Sequence, residues 1–193
     1  MESTADTDPA DHEAALTRAA LRAATGDRAA LTTFIEATHT DVWRFIAHLG
    51  HASTADDLTQ ETFLRAMRSL PRFRAEASAK TWLLSIARRV CADEVRRAQS
   101  RPRVNADVDW VSAADAAHAG RSYVRWEDLV EINMLLADLP TERREALVLT
   151  QILGLSYQEV AEVTGCPIGT VRSRVARARE SLVAASSAHR RSV

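Results

Sequence analysis

Residues 172–179 contain four arginines, Arg172, Arg174, Arg177 and Arg179. A guanidinium can fork onto the edge of a guanine or neutralise a phosphate. What precedes them is built to hold a helix in place. In the stretch "GLSYQEVAEVTGCPIGTVRSRVARAR", Ser156 and Glu159 have the spacing of a capping box, and Leu155 and Val160 that of a hydrophobic staple. Thr164-Gly165-Cys166 breaks the first helix, and Pro167 suits the first turn of a second, where its missing N–H costs nothing. Helix, glycine-containing turn and helix are the pattern of a helix-turn-helix. At 100° per residue Val171, Val175, Ala178 and Leu182 fall on one side of the second helix. Thr170, Ser173, Ala176 and Arg177 fall opposite, with Arg172, Arg174 and Arg179 on the flanks. Small and polar groups bordered by guanidinium suit a major groove. Gly169 in the first turn costs about 1 kcal/mol against Ala; close approach to a DNA backbone or tight packing on the preceding helix would each account for it.

A second set of chemical groups lies upstream. On a helix over residues 55–70, Ala55, Phe63, Ala66, Met67 and Leu70 share one side. Asp57, Gln60, Glu61, Leu64, Arg65 and Arg68 share the other. A leucine among mixed charges points to a protein-binding face. On the next helix, residues 80–97, Leu83, Leu84, Ile86, Ala87, Val90, Cys91 and Val95 form a broad apolar side. Ser85, Arg88, Arg89, Ala92 and Arg96 form the other, bordered by Trp82 and Arg97. Asp93 is expected to pair with Arg89 or Arg97. Cys91 reads as core, and Cys166 as a small neighbour of Pro167 rather than a thiol sensor.

These segments sit in a chain of 193 residues with 46% apolar and 5% aromatic residues, six Gly and five Pro. That composition favours long helices of Ala, Leu, Val and Ile, so an all-α fold is expected. The formal net charge of −1 conceals alternating blocks, with basic residues crowded into 72–103 and acidic residues into 1–27 and 104–131. Of the 25 Lys and Arg residues only Lys80 is lysine, a usage expected of a GC-rich genome. The two cysteines are far apart, and no Cys/His spacing suits a metal, so neither disulfide, metal nor cofactor is expected. No apolar run approaches the roughly 18–20 residues that span a bilayer, and the acidic N-terminus lacks the regions of a signal peptide. A cytoplasmic protein without membrane insertion is expected. No paired catalytic carboxylates, nucleophile–base set or phosphate loop stands out, so no catalytic residue is assigned.

The organisation follows. Residues 1–12 read as a disordered acidic tail, 13–100 as a helical domain interrupted at Gly26 and Gly50, and 101–126 as a linker. A second helical domain covers 127–186, and 187–193 a tail. Ser53 and Asp56 resemble a capping box for the helix that ends near Pro71. As flexible coil the linker would span roughly 28 Å, although Trp110, Tyr123 and Trp126 are unusual in a spacer.

At this point the sequence resembles the extracytoplasmic-function (ECF) sigma factors, small promoter-specificity subunits of bacterial RNA polymerase; the arginine usage suits an actinobacterial source. "ADDLTQETFLRAMRSLPRFR" and "AKTWLLSIARRVCADEVRR" are similar to their region 2. "LPTERREALVLTQILGLSYQEVAEVTGCPIGTVRSRVARARESL" is similar to their region 4. The resemblance covers about residues 28–186 and implies two helical domains joined by a flexible linker. It implies that Asp57, Gln60, Glu61, Leu64 and Arg65 contact the β′ clamp helices of core polymerase, with the β subunit a further partner. Arg74, Lys80, Trp82, Arg88, Arg89 and Arg96 would handle the melted −10 strand, where an extruded base needs a pocket, cations and a stacking surface; Trp82 could equally pack between helices. Thr170, Arg172, Ser173, Arg174 and Arg177 would read the −35 duplex. The acidic linker would run through the polymerase channel. The alternative is a stand-alone helix-turn-helix regulator. Two further matters stay open: whether an anti-sigma factor covers these faces, and whether region 4 folds back onto region 2.

Overall fold

In the computed structural model, residues 9–100 and 126–189 are described. Residues 101–125 of the expected linker, with Trp110 and Tyr123, and both chain ends lie outside them, while Trp126 belongs to a helix. Helices α1 (Pro9–Ala24), α2 (Arg28–Ile46), α3 (Ala55–Ser69) and α4 (Ala79–Ser100) make one bundle. Helices α5 (Trp126–Ala137), α6 (Thr141–Leu147), α7 (Tyr157–Thr164) and α8 (Ile168–His189) make a second. No strand occurs among the described residues, as the aliphatic, aromatic-poor composition implies.

The first bundle buries Leu16 and Ala20 of α1, Phe34, Val42, Phe45 and Ile46 of α2, Phe63 and Ala66 of α3, and Leu83, Leu84, Ala87 and Val90 of α4. Each fully buried Phe, Leu or Ile contributes about 1.5–3 kcal/mol. Helix α1 starts at Pro9, so residues 9–12 are helical and not part of the expected tail. Asp27 caps α2 by accepting from the Ala30 N–H at 3.0 Å, and it also holds Arg22 at the end of α1. Beyond α2 the chain widens into a π-helical turn, Ala47–His51. There Gly50 takes φ +95°, a left-handed backbone that a side chain would strain.

The start of α3 departs from expectation. Thr54, not Ser53, is its N-cap, and no side chain bonds there. Asp56 instead accepts from the Trp43 indole N–H at 2.8 Å. A tertiary donor from α2 has taken the carboxylate that the local pattern assigned to a cap. Helix α4 is better supplied: the Ser78 hydroxyl accepts from the Thr81 N–H, and Thr17 of α1 accepts from the Ala79 N–H. Two apolar assignments also shift outward, since Met67 is 39% and Val95 42% exposed. Both lie at the edge of their helix's apolar sector, where no neighbouring helix covers them.

The second bundle closes on Leu136, Leu147, Leu149, Val160, Val171, Val175 and Ala178. The capping box at the start of α7 forms as the sequence predicts: the Ser156 hydroxyl accepts from the Glu159 N–H, and the Glu159 carboxylate accepts from the Ser156 N–H at 2.8 Å. Leu155 and Val160 are both buried. Gly165 ends α7 in the left-handed conformation that lets the chain turn sharply into α8.

The two bundles do not stand apart. Helix α7 lies along α4, and α5 and α6 pack against the turn at residues 47–51. One continuous set of buried apolar residues runs through both.

Candidate nucleic-acid and polymerase interfaces

Helix α8 sets its polar face outward as its periodicity requires. Val171, Val175 and Ala178 are buried against α6 and α7, and Leu182 is half-buried. Arg172, Ser173 and Arg177 are exposed and Thr170 is half-buried. Among the described residues the guanidinium groups of Arg172 and Arg177 carry no hydrogen bond or ion pair. Arg174 is half-buried and lies against the helix-turn-helix, with a nitrogen 3.6 Å from Cys166 Sγ. Arg179 donates to Gln151 at 2.8 Å and is thereby tied to region-internal packing. A Cβ at Gly169 would meet nothing within 4 Å, so tight packing inside the fold does not explain this glycine. Cys166 also lies 3.2 Å from the Thr164 hydroxyl, inside the turn.

The basic face of the first bundle is engaged differently. Arg88 donates to Glu145 of α6 at 2.6 Å, and Glu145 is 4% exposed. Burial raises the Glu145 carboxyl above its ordinary range; the Arg88 bond pulls the other way. Lys80 pairs with Asp41 at 2.7 Å and donates to the Leu153 carbonyl at 3.0 Å. Trp82 is half-buried with its ring 4.9 Å from that of Phe73. Next to them lies a cleft of about 260 Å³ lined by Arg72, Phe73, Arg74, Thr81, Trp82 and Ser85, with Glu162 of α7 at its wall. The structure thus brings Arg74, Lys80, Trp82 and Arg88 to one side of the bundle. Arg96 points away to Asp93, and Arg89 is exposed on the same helix.

On α3, Asp57, Gln60 and Leu64 are exposed and Glu61 and Arg65 half-buried. Arg65 links two helices: it donates to Glu61 at 2.8 Å and to Asp93 of α4 at 2.5 Å. Asp93 therefore pairs with Arg65 and Arg96, not with Arg89 or Arg97. The i+3 neighbour Arg96 and the tertiary partner Arg65 take the carboxylate, and Arg97 pairs with Glu94. The hydrogen bond from Arg65, then that from Arg96, holds the Asp93 carboxyl below its ordinary value. Exposed Leu64, Met67 and Val95 give this side an apolar component. Cys91 is core as expected, and burial pushes its thiol up to about 12, where no thiolate forms at neutral pH.

Sequence reasoning missed Glu145, Glu162, Asp41 and Asn133. Glu145, Glu162 and Asn133 meet the other bundle across the seam, whereas Asp41 of α2 pairs with Lys80 of α4 inside the first bundle; no periodicity within one helix signals a partner many residues away.

The description "Sigma-70 region 2" fits residues 34–101, and "Sigma-70, region 4" fits residues 129–182. Over 175 residues the chain is 54% identical to the ECF RNA polymerase sigma factor SigC of Mycobacterium tuberculosis, covering 91% of this chain and 93% of that protein. The chain belongs to the ECF RNA polymerase sigma factors. Among solved structures, this sigma factor resembles CnrH in complex with the cytosolic domain of CnrY, at 27% identity and a TM-score of 0.70 over 90% of this chain and 98% of that one. It also resembles the sigma factor RpoE of Bartonella quintana in complex with the anti-sigma factor NepR, at 26% identity and a TM-score of 0.62 over 79% and 93%. As a sigma factor it is a transcription initiation factor and not a stand-alone regulator. No described helix is long and apolar enough to cross a membrane.

Proposed function

We propose that this sigma factor joins core RNA polymerase in the cytoplasm and performs no covalent chemistry itself. Residues 13–100 act as the polymerase-binding and −10 unit, and residues 127–186 as the −35 unit. On α3, Asp57, Gln60, Glu61, Leu64 and Arg65 meet the β′ clamp helices; the exposed Leu64 beside mixed charge supports this. On α8, Arg172, Ser173 and Arg177 read the edges and phosphates of the −35 duplex, with Thr170 and Arg174 at the margin. The unpartnered, outward guanidinium groups are the observation that carries this reading. The open space at Gly169 is consistent with close approach of a DNA backbone. The cleft beside Trp82, with Arg74, Lys80, Arg88, Arg89 and Arg96 on the same bundle, takes the melted −10 strand; an aromatic wall and cations are what an extruded base requires. The linker would follow the polymerase channel.

In the arrangement described, region 4 covers part of that −10 face. Arg88 is neutralised by Glu145, and the cleft is walled by Glu162. We read this as a closed resting form, from which region 4 must swing before the cleft can take a strand. An anti-sigma factor, as found with the Bartonella relative, would act on the same faces.

In vitro transcription with core polymerase over a pool of genomic promoters tests the assignment. Selected promoters should share an upstream and a −10 element, and Arg177→Ala should change preference at the upstream one only. A chain that fails to associate with core polymerase would overturn the reading.

A further inference from the structure

The seam between the regions has two chemically different ends. At α4 it is held by opposite charges, Arg88 with Glu145. At the turn Ala47–His51 it gathers groups that are cationic or become so in mild acid. His48 is 2% exposed, and its Nδ1 lies 2.9 Å from the side-chain oxygen of Asn133 on α5. Asn133 in turn donates its amide to the Ala47 carbonyl at 3.3 Å. This pair of bonds makes the His48 Nδ1–H the donor, so a proton added to the ring goes to Nε2. His51, three residues on, is half-buried. Across from it Arg144 of α6 donates to the Leu49 carbonyl at 3.5 Å, with a nitrogen 3.0 Å from where a Cβ on Gly50 would stand.

We propose that His48 and His51 form a proton-operated latch in this seam: protons added there release region 4 from region 2 and uncover the −10 cleft. The inference rests on the closed resting form stated above. Among the described residues, the charged groups facing the pair are these. Arg44 of α2 acts on His48, with neutral Asn133 as its partner from α5; Arg144 of α6 and Glu94 of α4 act on His51, and Asp138 faces Arg144. A cationic His48 would sit buried beside one arginine, with no carboxylate among the described residues acting on it. Burial holds both imidazoles below their ordinary range; Arg44 and Arg144 add to this, and Asn133 and Glu94 oppose it.

The sign is then fixed. Opening returns the rings to water, where they take protons near their ordinary value. Closed, they take them only at lower pH. A fall in pH through the ordinary histidine range therefore favours the open form. The ceiling is roughly tenfold in the open-to-closed ratio per histidine between pH 7.5 and 5.5. Glu145 works in the opposite sense, because a carboxyl raised by burial binds its proton more readily in the closed form. The latch is therefore read as the difference between wild type and a chain whose histidines cannot titrate.

Small-angle X-ray scattering of the full chain from pH 7.5 to 5.5 reports the radius of gyration, and far-UV circular dichroism reports whether each variant is folded. A compact wild type at pH 7.5 establishes the closed form; an extended one refutes that form and the latch with it. Given a compact start, the wild type should open on acidification relative to His48→Gln/His51→Gln, in which glutamine keeps a neutral donor for Asn133. Identical pH dependence in the two would overturn the latch and leave the closed form standing. Asn133→Asp supplies the reverse test and leaves both histidines in place. Its carboxylate raises the His48 value in the closed form, so acid should tighten that variant relative to wild type. Acid opening equal to wild type in Asn133→Asp would also overturn the latch.

Discussion

On α8 the guanidinium groups of Arg172 and Arg177 face outward without a partner among the described residues, whereas on α4 Arg88 is bound to Glu145 and Lys80 to Asp41 and Leu153. Both helices are cationic and both are amphipathic. The difference lies in what packs on their polar sides. Helix α8 turns its apolar side to α6 and α7 and leaves its polar side uncovered. Helix α4 meets its own bundle on one side and α7 of region 4 on the other. On the function proposed above, region 4 in this form is ready for a duplex and region 2 is not ready for a strand. On that reading the chain separates duplex recognition, which needs only a preformed surface, from strand capture, which also needs a domain to move.

The harshest way to break the comparison is to remove region 4 from it. Val175 is 1% exposed in the core under α8, and Val175→Asp should cost about 4 kcal/mol by burying an unpaired carboxylate. Circular dichroism should then show helix loss and a lowered melting temperature, while a fragment ending at residue 100 supplies the signal expected of region 2 alone. Full helix content in the variant would mean that α8 is not packed as described.

Next in size is the seam. Glu145→Arg sets two like charges face to face where an ion pair stood, a penalty of about 3 kcal/mol on closure. The radius of gyration should rise at pH 7.5, and adding Arg88→Glu should bring it back. If the double variant stays as open as the single, the Arg88–Glu145 pair is not what holds the regions together.

Arg177→Ala sharpens the other side of the contrast. It removes an exposed group from the recognition face, so stability should hold while discrimination at the upstream element falls by about 1–3 kcal/mol. A competition assay between promoters altered at single upstream positions measures it; a uniform loss across all positions would assign Arg177 to phosphate instead.

The smallest effect concerns the bridge between α3 and α4. Asp93 is held below the ordinary carboxylate value by Arg65 and Arg96. Its contribution is therefore present above that ordinary value and lost as pH falls through the lowered one. Both partners are partly exposed, so the contribution should stay below about 1 kcal/mol. Denaturant melts of wild type and Asp93→Asn should differ at neutral pH and converge once the pH has fallen well below the ordinary carboxylate range.

Much of this molecule was legible from residue order because its key devices are local. The capping box at Ser156 and Glu159, the break at Gly165 and the sidedness of Val171, Val175 and Ala178 each depend on residues within two turns of one another. Periodicity and hydrogen-bond chemistry over that range need no knowledge of the rest of the chain. Where local and long-range chemistry competed, the local reading failed. Asp56 has the spacing of a cap but bonds Trp43, thirteen residues back. Asp93 keeps one helical neighbour, Arg96, but takes its second partner from Arg65 on α3 and not from Arg89 or Arg97. The seam belongs wholly to the tertiary structure. Glu145, Asn133 and His48 are unremarkable in sequence, and only the docking of one bundle on the other gives them these partners. A helix carries its own pattern because its hydrogen bonds close every four residues. A contact between Arg88 and Glu145 spans 57 positions, and no repeat in the chain encodes which two surfaces will meet.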